Sequence, residues 1–207
     1  SRIFKASAPY GAGGLTLTLI AFSVLATGLA WAEGDNKNIF RTLLISESLR
    51  GLPEVAKGEI WRLITPIFLH GGPRAGQFGI LHLFFNMWWL MDLGSMIEAR
   101  KSSRYLLGQV LLIALLSNLA QWYWGGPNFV GMSGVVYGLL GYVWMKGHFD
   151  PFSGFYLHRQ TVLVMLIWFF ACWFRLIPNV ANYAHAGGLV AGMALGIGSS
   201  FLARRNR

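Results

Sequence analysis

Charge is scarce in this chain. Only 12% of its 207 residues are Asp, Glu, Lys or Arg, about half the share of a water-soluble domain. That excludes a disordered chain and a coiled coil, both of which carry far more charge. Cysteine is scarcer still: Cys172 stands alone, which excludes a disulfide-stapled secreted module. Acidic residues number 8 against 17 basic ones, leaving a net charge of +9. Such an excess points to nucleic acid when it clusters on one soluble face. Here the basic residues are divided among short segments between apolar runs, and no nucleic-acid partner is expected. Metal-ligand spacings, a P-loop, a dinucleotide fingerprint and a cleavable signal with a small-residue cleavage site are all missing. Neither a metal nor a cofactor is expected. What the chain has in abundance is hydrophobic residues, 55% of the total, with a mean hydropathy of +0.49. Lipid is its expected solvent. The sequence opens at Ser1 with no initiator Met and reads as trimmed, with an N-terminal domain as a candidate missing piece.

The charges mark out the apolar stretches. Residues 15–32 carry none and form a first span, ending at Glu33-Gly34-Asp35. Residues 33–79 form a long polar loop with charges of both signs. It is too long for a plain connection, and such loops are usually functional or carry structure of their own. Its Phe40, Trp61 and Phe68 suggest a segment lying against the membrane surface. A second span covers about 80–97. Residues 105–145 are 41 in a row without a charge, broken by Gly125-Gly126-Pro127-Asn128, a strong turn signal. That divides them into spans at about 105–124 and 132–146. A fifth span covers about 160–177 and a sixth about 183–203. An apolar run in lipid must satisfy its own backbone, so the expected fold is an all-α membrane protein of six transmembrane helices. Residues 1–207 read as a single domain.

Orientation follows from Lys and Arg. Both termini and the loops after spans two and four hold ten of them: Arg2, Lys5, Arg100, Lys101, Arg104, Lys146, Arg159, Arg204, Arg205 and Arg207. The short connections on the other side hold only Arg175. The positive-inside rule therefore puts both termini in the cytoplasm.

With that topology the even-numbered spans enter from outside, and three polar side chains share a depth near their outer ends: His82, Ser133 and His185. Ionisable groups inside a membrane are candidates for function. Ser133 sits in Gly131-Met132-Ser133-Gly134 at the start of span four, where free N–H groups and the helix dipole would favour an oxyanion. A serine there is equally an ordinary helix cap. His185 could be a core histidine or a haem ligand. Gly188 and Gly192 follow it on its own helix face, matched by Gly134, Gly138 and Gly141 on span four, and such stripes let membrane helices pack closely. Close packing would bring the imidazole to the Ser133 hydroxyl as base to nucleophile. His82 and Asn86 share a face of span two, either as an interhelical hydrogen-bonded pair or as donors to an oxyanion. Asp92 and Glu98 fall about 15 Å or more deeper along that helix at 1.5 Å per residue, too far to orient His185. The pattern is a dyad. Tyr137, one turn below Ser133, either stacks under the imidazole or is an ordinary interior aromatic.

These residues carry a resemblance. Trp61-Arg62, His82-x-x-x-Asn86, Gly131-x-Ser133-Gly134 and Ala184-His185-x-x-Gly188-x-x-x-Gly192 occur in the order and spacing of the rhomboid intramembrane serine proteases of the six-span bacterial type. The chain resembles that family over nearly its whole length. The resemblance implies a rhomboid bundle whose first loop is embedded sideways in the outer leaflet. It makes Ser133 the nucleophile and His185 the general base, and gives the oxyanion to His82, Asn86 and the Ser133 N–H. Gly131, Gly134, Tyr137, Gly188 and Gly192 support them. Trp61, Arg62 and the pair Glu98 and Arg100 would be structural. The implied substrates are transmembrane proteins, cut near their outward ends in a bacterial inner membrane. Gly71-Gly72-Pro73 departs from the pattern as a slightly longer loop.

Two other readings compete. One is a non-catalytic rhomboid-like protein that binds membrane helices; the other is a haem-binding or transport bundle using His82 and His185. Water must reach Ser133 in the protease, and the segment from Asn179 to Asn182 is the expected cap. His148 and His158 read as solvated and Cys172 as an inert apolar residue. His70 has no partner that the sequence identifies.

Overall fold

The computed structural model describes residues 11–34, 36–71 and 76–205. Arg2, Lys5, Asp35, Gly72, Pro73 and Arg207, used above for topology and loop length, lie outside them. All regular structure among the described residues is helical. Six long helices, α1 (Gly14–Ala32), α4 (Gly76–Arg100), α5 (Ser103–Gly125), α6 (Ser133–Phe149), α7 (Arg159–Trp173) and α8 (Asn182–Arg205), fall where the apolar runs place them. The long loop does carry structure: α2 (Asn38–Leu43), α3 (Pro53–Ala56) and two 3₁₀ turns, Ile60–Leu63 and Thr65–Phe68. Among the described residues four helices, α1, α4, α5 and α8, are long and apolar enough to cross a membrane. With 17 and 15 residues, α6 and α7 are shorter, about 25 Å or less at 1.5 Å per residue against a hydrocarbon core of about 30 Å.

At the centre stands α6, against α4, α5 and α8, and twelve of its residues are buried. The α6–α8 contact is the most extensive between helices among the described residues, and glycine makes it possible. A Cβ at Gly188 would collide with the carbonyl oxygen of Gly134, and one at Gly192 with that of Gly138. The peripheral α1 shows the inversion expected in lipid. Its buried stripe is Thr16, Leu19, Ser23, Thr27 and Ala30, whereas Phe22, Val24 and Leu25 face outward. The hydroxyls of Thr16 and Thr27 find acceptors inside the bundle, Glu98 and Phe68 O, while Ser23 Oγ is buried without a partner among the described residues.

Glu98 ties α1 in place. No side chain caps α1 at Gly13. Instead the Glu98 carboxylate accepts from Leu15 N (2.8 Å), Thr16 N (2.9 Å) and Thr16 Oγ1 (2.8 Å), and from Ser103 Oγ at 2.7 Å. A carboxylate at a helix N-terminus satisfies orphan donors and complements the dipole. Arg100 lies against Gly154, 5.8 Å from the Phe155 ring centre.

The end of α7 corrects the fifth span, which was expected to run to 177. The Leu176 N–H donates to Ala171 O and the Arg175 N–H to Cys172 O, with Arg175 left-handed at φ 59°. This is the Schellman arrangement, normally announced by Gly or Asn. An arginine in that place leaves no such signal in the sequence.

Candidate functional site

Ser133 is the first residue of α6 and is half-buried. No side chain caps this helix. The hydroxyl lies instead 2.7 Å from His185 Nε2, so the plain capping reading does not describe it. His185 sits in the first turn of α8 and is 4% exposed. Two bonds fix that turn: Ala184 N donates to Gln121 Oε1 at 3.1 Å, and Asn182 Nδ2 donates to Cys172 O at 3.0 Å. If Nε2 is to accept the serine proton, the ring's own proton resides on Nδ1. Nδ1 has no hydrogen-bond partner among the described residues. Glu98 is held by α1 and α5, and Asp150 pairs with Lys146 at 3.0 Å at the opposite end of α6. Tyr137 lies with its ring centre 4.7 Å from that of His185, tilted by 40°. Its hydroxyl donates to Met165 O at 3.1 Å, so it packs on the imidazole while joining α6 to α7.

The turn before Ser133 is held by the first loop. Gly131 N donates to Pro66 O at 3.0 Å, and Met132 N to His70 Nε2 at 3.3 Å. These two N–H groups are therefore occupied. The first free backbone donors at this point are those of the opening turn of α6, beginning with Ser133 itself, since first-turn N–H groups have no intrahelical acceptor. Gly131 has φ +126°, and a Cβ there would sit 2.6 Å from His82 Cε1. The missing side chain is what allows the His82 ring to lie beside the serine turn.

The structure thus brings Ser133, His185, Gly131, Gly134, His82 and Tyr137 together. Asn86 is buried in the same region, but its Nδ2 donates to the His82 carbonyl at 2.8 Å, within its own helix. Trp61 and Arg62 lie in the first loop and bond to other residues of that loop. Arg62 is 5% exposed; its Nε contacts Glu59 Oε2 at 2.6 Å and its Nη1 donates to Arg41 O (2.5 Å) and Leu44 O (3.0 Å). Trp61 Nε1 donates to Thr42 O at 3.4 Å. Asn118 Nδ2 fastens this loop to α5 through Leu63 O at 2.9 Å.

His70 is the residue that sequence reasoning left without a partner. It is fully buried, with Nε2 on Met132 N and Nδ1 3.4 Å from Thr27 Oγ1 of α1. Burial, and then the neighbouring His82, push its pKa down to about 3. It is neutral at pH 7, as accepting from Met132 N requires. Its place two residues after the apolar Ile67-Phe68 pair gave no periodic signal; only the long-range contact identifies it.

The family model described as the Rhomboid domain matches residues 57–200, which takes in every residue of this cluster. The chain belongs to the rhomboid family. Rhomboid protease GlpG of Salmonella paratyphi A is 41% identical to it over 152 residues, covering 73% of this chain and 52% of that protein. Rhomboid protease GlpG of Salmonella typhi matches with the same identity and coverage. This rhomboid therefore spans about half the length of the curated relatives it matches. It is an integral membrane protein of all-helical fold.

Proposed function

We propose that this rhomboid is an intramembrane serine endopeptidase that cuts transmembrane substrates near the outer membrane face. The observation that carries the reading is the 2.7 Å contact between Ser133 Oγ and His185 Nε2 at an uncapped helix start. In the proposed reaction Oγ attacks the substrate carbonyl carbon as its proton passes to Nε2. The carbonyl oxygen becomes an oxyanion facing the Ser133 N–H, with His82 and Asn86 as side-chain donors. Imidazolium then returns the proton to the leaving amine as the C–N bond breaks, and water repeats the sequence on the acyl-enzyme. Asn86 must turn from the His82 carbonyl, or offer its second N–H, to take part. The Nε2–Oγ contact favours serine chemistry over haem ligation by the same nitrogen. The presence of both Ser133 and His185 favours an enzyme over a helix-binding relative without catalysis.

The same reading counts α6 and α7 as spans, giving six in one domain, with the first loop embedded in the outer leaflet, both termini cytoplasmic and a bacterial inner membrane as the setting. The Lys and Arg distribution supports the orientation. The shortness and central position of α6 support a serine recessed below the membrane surface. The test is incubation of the purified chain in detergent with a transmembrane substrate whose helix is destabilised. The parent should cleave it while Ser133→Ala and His185→Ala do not; cleavage by either variant overturns the dyad. Reporter fusions should place both termini inside, and an external C-terminus would mean an odd number of spans.

A further inference from the structure

The end of the bundle opposite Ser133 carries a feature that the serine chemistry does not use. A cleft of about 430 Å³ opens between the C-terminal half of α6, the 150–158 loop and the first two turns of α7. That volume is within the usual range of small-molecule sites, about 300–1,000 Å³. Its composition is graded along the helix axes. Trp144, Leu163 and Leu166 line the part toward the middle of the bundle, whereas His148, Tyr156 and Arg159 join the apolar Phe155 and Leu157 at the helix ends. The cleft opens to the outside of the bundle, where Leu163 is 46% and Tyr156 61% exposed. A polar metabolite would need partners deep in the cleft, and the deep walls are apolar. A phospholipid has the matching gradient.

Charge narrows the occupant further. This end gathers Arg100, Lys101, Arg104, Arg159, Arg204 and Arg205, while its two acids are engaged, Glu98 by α1 and Ser103 and Asp150 in a buried pair with Lys146. Arg159 and His148 are exposed at the mouth. Basic pockets between membrane helices suit anionic headgroups. We propose that this cleft binds an anionic phospholipid, its acyl chain along Trp144, Leu163 and Leu166 and its headgroup phosphate on Arg159 and His148. The binding does not depend on the dyad, since the residues assigned to the lipid lie in the second half of α6 and the first two turns of α7, away from Ser133 at the start of α6.

The test reads Trp144 directly. The full chain is placed in phosphatidylcholine bilayers doped with phosphatidylglycerol or phosphatidylcholine brominated on the acyl chain. The Trp144 signal is the difference between the parent, which has nine tryptophans, and Trp144→Phe. Brominated phosphatidylglycerol should quench it at a mole fraction about fivefold lower than brominated phosphatidylcholine, as one basic contact implies. The double variant Arg159→Gln/His148→Gln should lose that preference while keeping its helical circular dichroism. Equal quenching by both lipids would reduce the cleft to ordinary annular contact and overturn the proposal. A preference that survives the double variant would assign it to the general basic belt and also overturn it. Relief of quenching by soluble glycerol phosphate would mark a free-phosphate site instead of a lipid site.

Discussion

Ser133 of α6 and His185 of α8 meet at 2.7 Å across the same helix contact that Gly134, Gly138, Gly188 and Gly192 make close. The glycine face sets the helix separation, and the helix separation sets the distance between hydroxyl and imidazole. Packing and proposed chemistry rest on one interface.

Gly188→Ala should therefore damage both. The new methyl has only the Gly134 backbone to displace, and backbone cannot swing aside as a side chain can. Overpacking commonly costs about 1–3 kcal/mol, and the upper end is expected. Thermal unfolding in detergent measures it, with Gly28→Ala as control, since nothing lies within 4 Å of a Cβ there. Equal melting temperatures for the two variants would contradict the close-packing account.

Asn86→Ala separates base from oxyanion. His185 still activates Ser133, but one donor toward developing charge is gone, so kcat should fall more than KM. A single oxyanion donor can be worth about 10²–10³ in rate. Here the Ser133 N–H and His82 remain, and Asn86 rests on the His82 carbonyl, so a loss of about tenfold is expected. Lower stability with unchanged turnover of the folded protein would give Asn86 a structural role within α4 and no part in the oxyanion site.

His70 gives a dependence on pH. Its folded pKa, about 3, lies below the ordinary 6.5. Between those values the unfolded chain binds a proton that the folded chain refuses, so stability falls as pH drops below about 6.5. His70→Gln keeps an acceptor for Met132 N but cannot titrate. Its melting temperature should fall less steeply than the parent's between pH 6.5 and 4. Parallel curves would mean that His70 does not titrate across unfolding.

The helices were legible because apolar runs in lipid have one backbone solution; α1 was expected over 15–32 and occupies Gly14–Ala32. The end of α7 was not, because Arg175 adopts a conformation that its chemistry does not advertise. The glycine stripes could be read as a close contact, since they repeat at helical spacing. The cluster's supports could not. Gln121, Asn182, Asn118 and His70 each act through a bond to a distant backbone group, and such a bond has no sequence period. The resting position of the Asn86 amide was equally hidden, because spacing fixes a helix face and not a side-chain rotamer.

The central claim is that His185 activates the Ser133 hydroxyl, and covalent labelling tests it most directly. A fluorophosphonate probe reacts with an activated serine and needs no substrate helix. The account predicts labelling of the parent, its loss in Ser133→Ala, and a strong reduction in His185→Ala with folding unchanged by circular dichroism. Labelling that persists in Ser133→Ala, or at full strength in His185→Ala, would contradict it.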